Sequence, residues 1–261
     1  MASSTPTPTP FVLDTPTALS LGFALSFMPI AFLLSKQFLS KSTTLQNQIL
    51  FIWHSYDALT HFFIEGSYLY HCFFSYITIP SSPSGDYPHP ASLTAEGVYF
   101  LGHRDRRYGS WYSDSATARL WQEYAKADKR WGGADLTVIA LEILTVGLCG
   151  PFALYVCVLL SRLSSTTLSS LRRSKLTAQL YTLATVLATM ELYGGFITFA
   201  PEWLSGNSNL DTSNPMYLYF YLTFFNILWV FIPLWVIWIS WGKIEGAFRS
   251  SPQTGKGKKG L

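Results

Sequence analysis

Five stretches of this chain are long and apolar enough to cross a membrane, and that limits its fold before any other feature does. They cover about residues 17–35, 49–79, 136–160, 176–200 and 215–241. A helix rises 1.5 Å per residue, so about 20 residues cross the roughly 30 Å of hydrocarbon in a bilayer. Lipid offers the backbone no hydrogen bonds, so such stretches must satisfy their own amides as helices. The first stretch has no charge, the third only Glu142, the fourth only Glu191, and the fifth no charge but a central Asn226. The expected architecture is all-α, an integral membrane bundle of five transmembrane helices. Residues 1–16, rich in Ser, Thr and Pro, read as a disordered tail. Residues 17–242 read as the membrane domain and 243–261 as a basic cytosolic tail.

Between the second and third stretches lies the longest loop. Its first part, around 80–114, is irregular and Pro/Ser-rich, and reads as an insertion. Its second part, Ser115 to Trp131, mixes charges with Leu120, Trp121, Tyr124 and Trp131 and predicts an amphipathic helix at the membrane surface. Composition agrees with a lipid environment. Charged residues are 13% of the 261, against about 25% in soluble domains. The net charge of +3 gives no reason to expect nucleic acid as a partner. Cys72, Cys149 and Cys157 fall in apolar segments and read as buried free thiols. No Lys or Arg precedes Lys36, so the first stretch reads as a retained helix, not a cleaved signal. Eleven of the eighteen Lys and Arg lie in the 36–48 link, the 161–175 loop and the C-terminal tail. The positive-inside bias then puts the C-terminus in the cytosol.

The second stretch is the unusual one. Asp57, His61 and Glu65 recur every fourth residue and so share one helical face. Ionisable groups at membrane depth cost several kcal/mol and face the bundle interior or a cavity. With Glu142, Glu191 and Asn226 they form either interhelical glue or a buried polar site. Asn226 and Trp229 are three apart and share a face, where an indole could hold a cation. A dry, aromatic-lined site with acids and a His suits carbocation chemistry: protonate an alkene, shelter the cation, remove a proton elsewhere. A metal site is the competing reading, since His61 and Glu65 stand at ligand spacing. Only one His lies mid-span with the carboxylates, however, and there is no His-Glu-x-x-His motif, so no metal is expected. Gly147 and Gly150 suit either packing within the bundle or a homodimer contact.

Several stretches together resemble the emopamil-binding protein family, the sterol isomerases that share the EXPERA domain. They are HFFIEGSYLY from His61 with Trp53 before it, LWQEYAKADKRW from Leu120, GGADLTVIALEILTVGLCGP ending at Pro151, YGGFITF from Tyr193, and NPMYLYFYLTFFNILWVFIP from Asn214. The resemblance implies a five-helix protein of the endoplasmic reticulum. It implies a 3β-hydroxysteroid Δ8–Δ7 isomerase, which shifts a ring double bond of a sterol with no redox cofactor. It also implies that His61, Glu65 and Glu142 share proton donation and removal, that Trp229 faces the cation, and that Asn226 and Thr145 orient the acids. Tyr124 and Tyr193 match further substrate-binding aromatics. Asp57 and Glu191 are departures: Asp57 is an added acid, and Glu191 stands where Gln is expected. Gly195 stands where animal members have Asp. Two other functions stay open on the same scaffold. One is a terpene cyclase of a meroterpenoid pathway; the other is a non-catalytic sterol-binding receptor.

Overall fold

A computed structural model of the chain describes residues 11–79 and 99–250, and the structure is mostly helical over them. The expected 1–16 tail falls largely on 1–10, the insertion largely on 80–98, and the end of the basic tail on 251–261; these parts lie outside the described residues.

Helix α1 spans Thr15–Phe38, and Asp14 caps it by accepting from the Thr17 amide. Helix α2, Leu45–Leu59, starts at Thr44, whose hydroxyl accepts from Asn47 N. It continues through a π-helical turn, Thr60–Glu65, into α3, Gly66–Phe74. The 116–124 stretch forms α4, Ala116–Tyr124. Helix α5, Leu136–Leu144, is capped by Asp135 and passes through a π turn, Thr145–Cys149, into α6, Gly150–Leu163. Helix α7 is Ser170–Ser205 and ends on Gly206 at φ 78°, a left-handed cap that glycine adopts without strain. A third π segment, Met216–Phe224, leads into α8, Phe225–Ser250. Among the described residues, four helical runs are long and apolar enough to cross a membrane: Thr15–Phe38, Leu136–Leu163, Ser170–Ser205 and Met216–Ser250.

The structure changes the expected map in three places. The second stretch leaves the helix at Ser75 instead of running to 79. There Tyr76–Thr78 forms β1, paired antiparallel with β2, Arg106–Tyr108, so the chain is not purely helical. Aromatic and β-branched residues in Tyr76-Ile77-Thr78 suit a strand. The last helix runs on to Ser250, into the expected tail. The helix expected over 115–131 is only α4, and its Leu120, Trp121 and Glu123 are buried against α1 and α3. After it the chain turns, and Arg130 ties the turn to α7. Its guanidinium donates to Asp128 Oδ2 at 2.6 Å and to the Thr198 carbonyl at 2.7 Å. Burial pushes the Asp128 carboxyl above its usual range against the pull of Arg130.

At one end of the bundle α2, α6, α7 and α8 pack Leu50, Val156, Leu159, Leu160, Leu180 and Val236 into a dry core. Gly150 lies against Phe62, whose ring a Cβ would meet at 3.0 Å, so it serves packing within this chain; Gly147 has open space.

Candidate active site

The π turns place the polar residues. Such turns hold well under 1% of residues in proteins and gather at functional sites. His61 and Glu65 sit on the first, Thr145 on the second with Glu142 one turn before it, and Asn226 and Trp229 just after the third. Each turn bonds i to i+5, which widens the helix and re-aims the side chains on it.

His61 is the hub. Its Nδ1 pairs with Glu65 Oε2 at 2.5 Å, and its Nε2 lies 3.2 Å from Asp57 Oδ1. The i, i+4 face expected from sequence is therefore real, and all three residues point inward. The hydroxyl of Thr145 lies 3.0 Å from both Glu65 Oε2 and Glu142 Oε2. One hydroxyl has one proton, so it serves one carboxylate at a time. This contact joins α5 to the π turn after α2 and brings His61, Glu65, Glu142 and Thr145 together. Trp229 Nε1 donates to Asp57 Oδ1 at 3.0 Å, and its ring stacks edge-on against Trp53 at 5.4 Å. Glu191, on α7, is buried facing Asp57 and Trp53. The other buried histidines are occupied elsewhere: His54 by the Leu50 carbonyl, and His71 by Ser75 and Thr117.

Two expected residues sit differently. Asn226 does not reach the acids. Its amide donates to Tyr124 Oη at 3.0 Å and to the Leu222 carbonyl at 2.8 Å. Tyr193 is 58% exposed on the outer face of α7 and is not part of the cavity wall, where Leu192 and Gly194 stand instead. Sequence reading missed Glu123, a buried acid outside the cluster. It accepts from Thr17 at 2.7 Å and Tyr221 at 2.8 Å. Nothing in the spacing of α4 distinguishes it from the solvated acid of an amphipathic helix.

The cluster opens onto a cavity of about 650 Å³, within the roughly 300–1,000 Å³ of small-molecule sites. His61, Glu65, Glu142, Thr145, Glu191, Asn226 and Trp229 all line it, and the rest of the wall is mainly apolar. Phe196, Trp203 and Val230 belong to the wall and are also exposed, so the cavity opens sideways between α7 and α8. A smaller cavity of about 140 Å³, lined by Tyr124 and Leu120, shares Glu65, Trp131, Asn226 and Trp229 with it. Among the described residues, no three His, Cys, Asp or Glu side chains converge as a set that could hold a metal ion.

Fold and site together define a helical membrane protein with a buried carboxyl–imidazole cluster on the wall of an apolar cavity. Residues 116–240 match the family model of EXPERA, the expanded EBP superfamily. The match takes in Glu142, Thr145, Glu191, Asn226 and Trp229; Asp57, His61 and Glu65 precede it. Over 116 residues the chain is 31% identical to a 3-beta-hydroxysteroid-Delta(8),Delta(7)-isomerase of Cavia porcellus, covering 44% of this chain and 45% of the relative. It is 28% identical over 130 residues to a probable enzyme of the same name from Arabidopsis thaliana, covering 50% and 52%. Against these isomerases the chain spans about half the length of the relative. An isomeliandiol synthase of Melia azedarach is 24% identical over 249 residues, 94% of this chain and 93% of the relative.

Proposed function

We propose that this chain is an intramembrane enzyme that protonates an alkene of a sterol or terpenoid and removes a proton from a neighbouring carbon. Its simplest form is a 3β-hydroxysteroid Δ8–Δ7 isomerase. The observation that carries this is the shared Thr145 hydroxyl, which holds Glu65 and Glu142 side by side on the cavity wall with His61 against Glu65. Four carboxyl groups and one imidazole meet there, and the Lys and Arg ion pairs among the described residues all lie elsewhere. Ionising all four in a low dielectric is prohibitive, so the cluster holds protons it can give away.

In one turnover a carboxylic acid of the cluster gives its proton to one alkene carbon, and the π electrons form the C–H bond. The neighbouring carbon becomes cationic. A carboxylate then takes a proton from the next carbon, and the C–H electrons form the shifted double bond. The formula of the hydrocarbon is unchanged. Trp229 presents an indole face to the cation, and fixed acids in a water-poor site act more strongly than in water. In this reading the α2–α3 helix, inward-facing and uninterrupted from Leu45 to Phe74, is the fifth span. The protein resides in the endoplasmic reticulum with its C-terminus in the cytosol.

The full-length likeness to an isomeliandiol synthase and the added acids Asp57 and Glu191 favour a second reading, a terpene cyclase that uses the same alkene protonation. Membranes holding the protein are given an unsaturated sterol in heavy water. Deuterium in an isomerised product supports the isomerase, and unchanged sterol removes it. A cyclised product from a farnesylated phenolic acceptor or its epoxide selects the cyclase. Glu142→Gln is expected to lower either turnover about 10²–10⁴-fold, the usual share of a general acid. Equal activity in wild type and variant would overturn the acid–base assignment.

A further inference from the structure

His61 divides the buried acids into two pairs, and the chemistry above uses one of them. On the Nδ1 side stand Glu65 and Glu142, joined by Thr145. On the Nε2 side stands Asp57, fully buried and facing Glu191, which comes from α7 and lines the cavity. Asp57 does not line the cavity; it sits behind His61, with one oxygen held by Trp229 Nε1.

The two sides differ in how well they are satisfied. Asp57 Oδ2, Glu191 Oε1 and Trp53 Nε1 are buried without a well-aligned hydrogen bond, and His61 Nε2 has only its 3.2 Å ion-pair contact with Asp57 Oδ1. Trp53 is 2% exposed and Glu191 6%, so solvent does not complete them. Buried polar atoms in folded proteins are nearly always paired, because leaving one unpaired costs about 1–3 kcal/mol. Glue between helices would saturate these atoms. A group that must alternately hold and release a proton keeps bonding capacity open.

We propose that Glu191 is a second proton-transfer group of the cavity, joined through Asp57 and His61 to Glu65, Thr145 and Glu142. It rests on the enzyme reading above. Each turnover leaves one carboxyl short of a proton and another with one extra. The imidazole closes the cycle: it gives the proton on one ring nitrogen to the deficient side and takes one on the other nitrogen from the loaded side. No proton is consumed and no co-reactant is needed. A sideways-opening apolar cavity is a poor route for water, and an internal return removes the need for one. Glu191 acts on substrate; Asp57 is a positioning and relay residue.

The first test needs no substrate. Infrared spectra of the whole protein in lipid nanodiscs are compared for wild type, E142Q, E191Q and D57N. E142Q and E191Q each remove one carboxyl signal, and D57N shifts the signal that E142Q removes, although Asp57 and Glu142 share no contact. A Glu142 signal untouched by D57N overturns the connection, whether or not any substrate is turned over. The second test uses rapid quench on a substrate that wild type converts. D57N gives a burst of about one product per site, then a steady rate at least about tenfold lower; E191Q slows the burst as well, by about 10²-fold. D57E restores continuous turnover, which a merely structural loss would not allow. Steady rates equal to wild type in D57N and E191Q overturn the proposal. Failure of wild type to convert any alkene sinks the enzyme reading instead, and the infrared result still decides the wiring.

Discussion

The two ends of the bundle are built from the same helices but by different rules. Around Leu159, Leu160 and Leu180 the helices are regular, and the side chains that meet are apolar. Around His61 and Glu142 two of the same helical runs loosen into π turns, and the side chains that meet are polar. The helical run from Leu45 to Phe74 crosses from one regime to the other: Leu50 packs in the core, and eleven residues later His61 is the hub of the acids. Packing tolerates the 3.6-residue repeat because any apolar contact will do. Bringing an imidazole, two carboxylates and a hydroxyl within 3 Å from two runs does not, and an added residue in a turn supplies the missing rotation.

Deleting Phe63, an exposed residue of the first π turn, tests that difference most severely. The deletion lets the turn relax to α-helix and moves Glu65 from i, i+4 to i, i+3 of His61, which is expected to lengthen their contact and re-aim both side chains. Turnover is expected to fall about 10²-fold, or about 2.7 kcal/mol, while the protein still inserts and elutes as wild type. Activity within about threefold of wild type would mean the turn does not aim the site. Leu160→Ala makes the opposite cut. It opens a cavity in the regular end and is expected to lower thermal stability by about 2 kcal/mol, the low end of the range, since leaving lipid contributes little to burial here. Turnover per folded molecule should not change, and a matching loss of activity would show that the two ends are not separable. Lys126→Ala is the smallest. Lys126 is 40% exposed and its partner Glu123 keeps Thr17 and Tyr221, so less than about 1 kcal/mol should be lost in a melting experiment.

The same contrast explains what the sequence could tell. The apolar runs and the Asp57–His61–Glu65 face were legible because span length and an i, i+4 repeat need only local geometry. Glu142 and Thr145 were legible through family likeness, and they also share a face at i, i+3. The π turns were not, because an inserted residue leaves no mark in composition. Tyr193 lies on α7, a regular helix with no π turn; only the family likeness placed it inside, and its own position on that helix turns it outward. The third π segment ends just before Asn226, which the family likeness placed among the acids and which is spent on Tyr124. The burial of Glu123 depends on α1 lying across α4, a long-range contact that no local pattern encodes.

The side opening between Phe196, Trp203 and Val230 has a kinetic consequence. If the chain sits in the bilayer as proposed, a molecule that enters there comes from the acyl chains, and the concentration that matters is moles of substrate per mole of lipid. Added phospholipid would dilute the reaction at constant buffer volume, and added buffer would not.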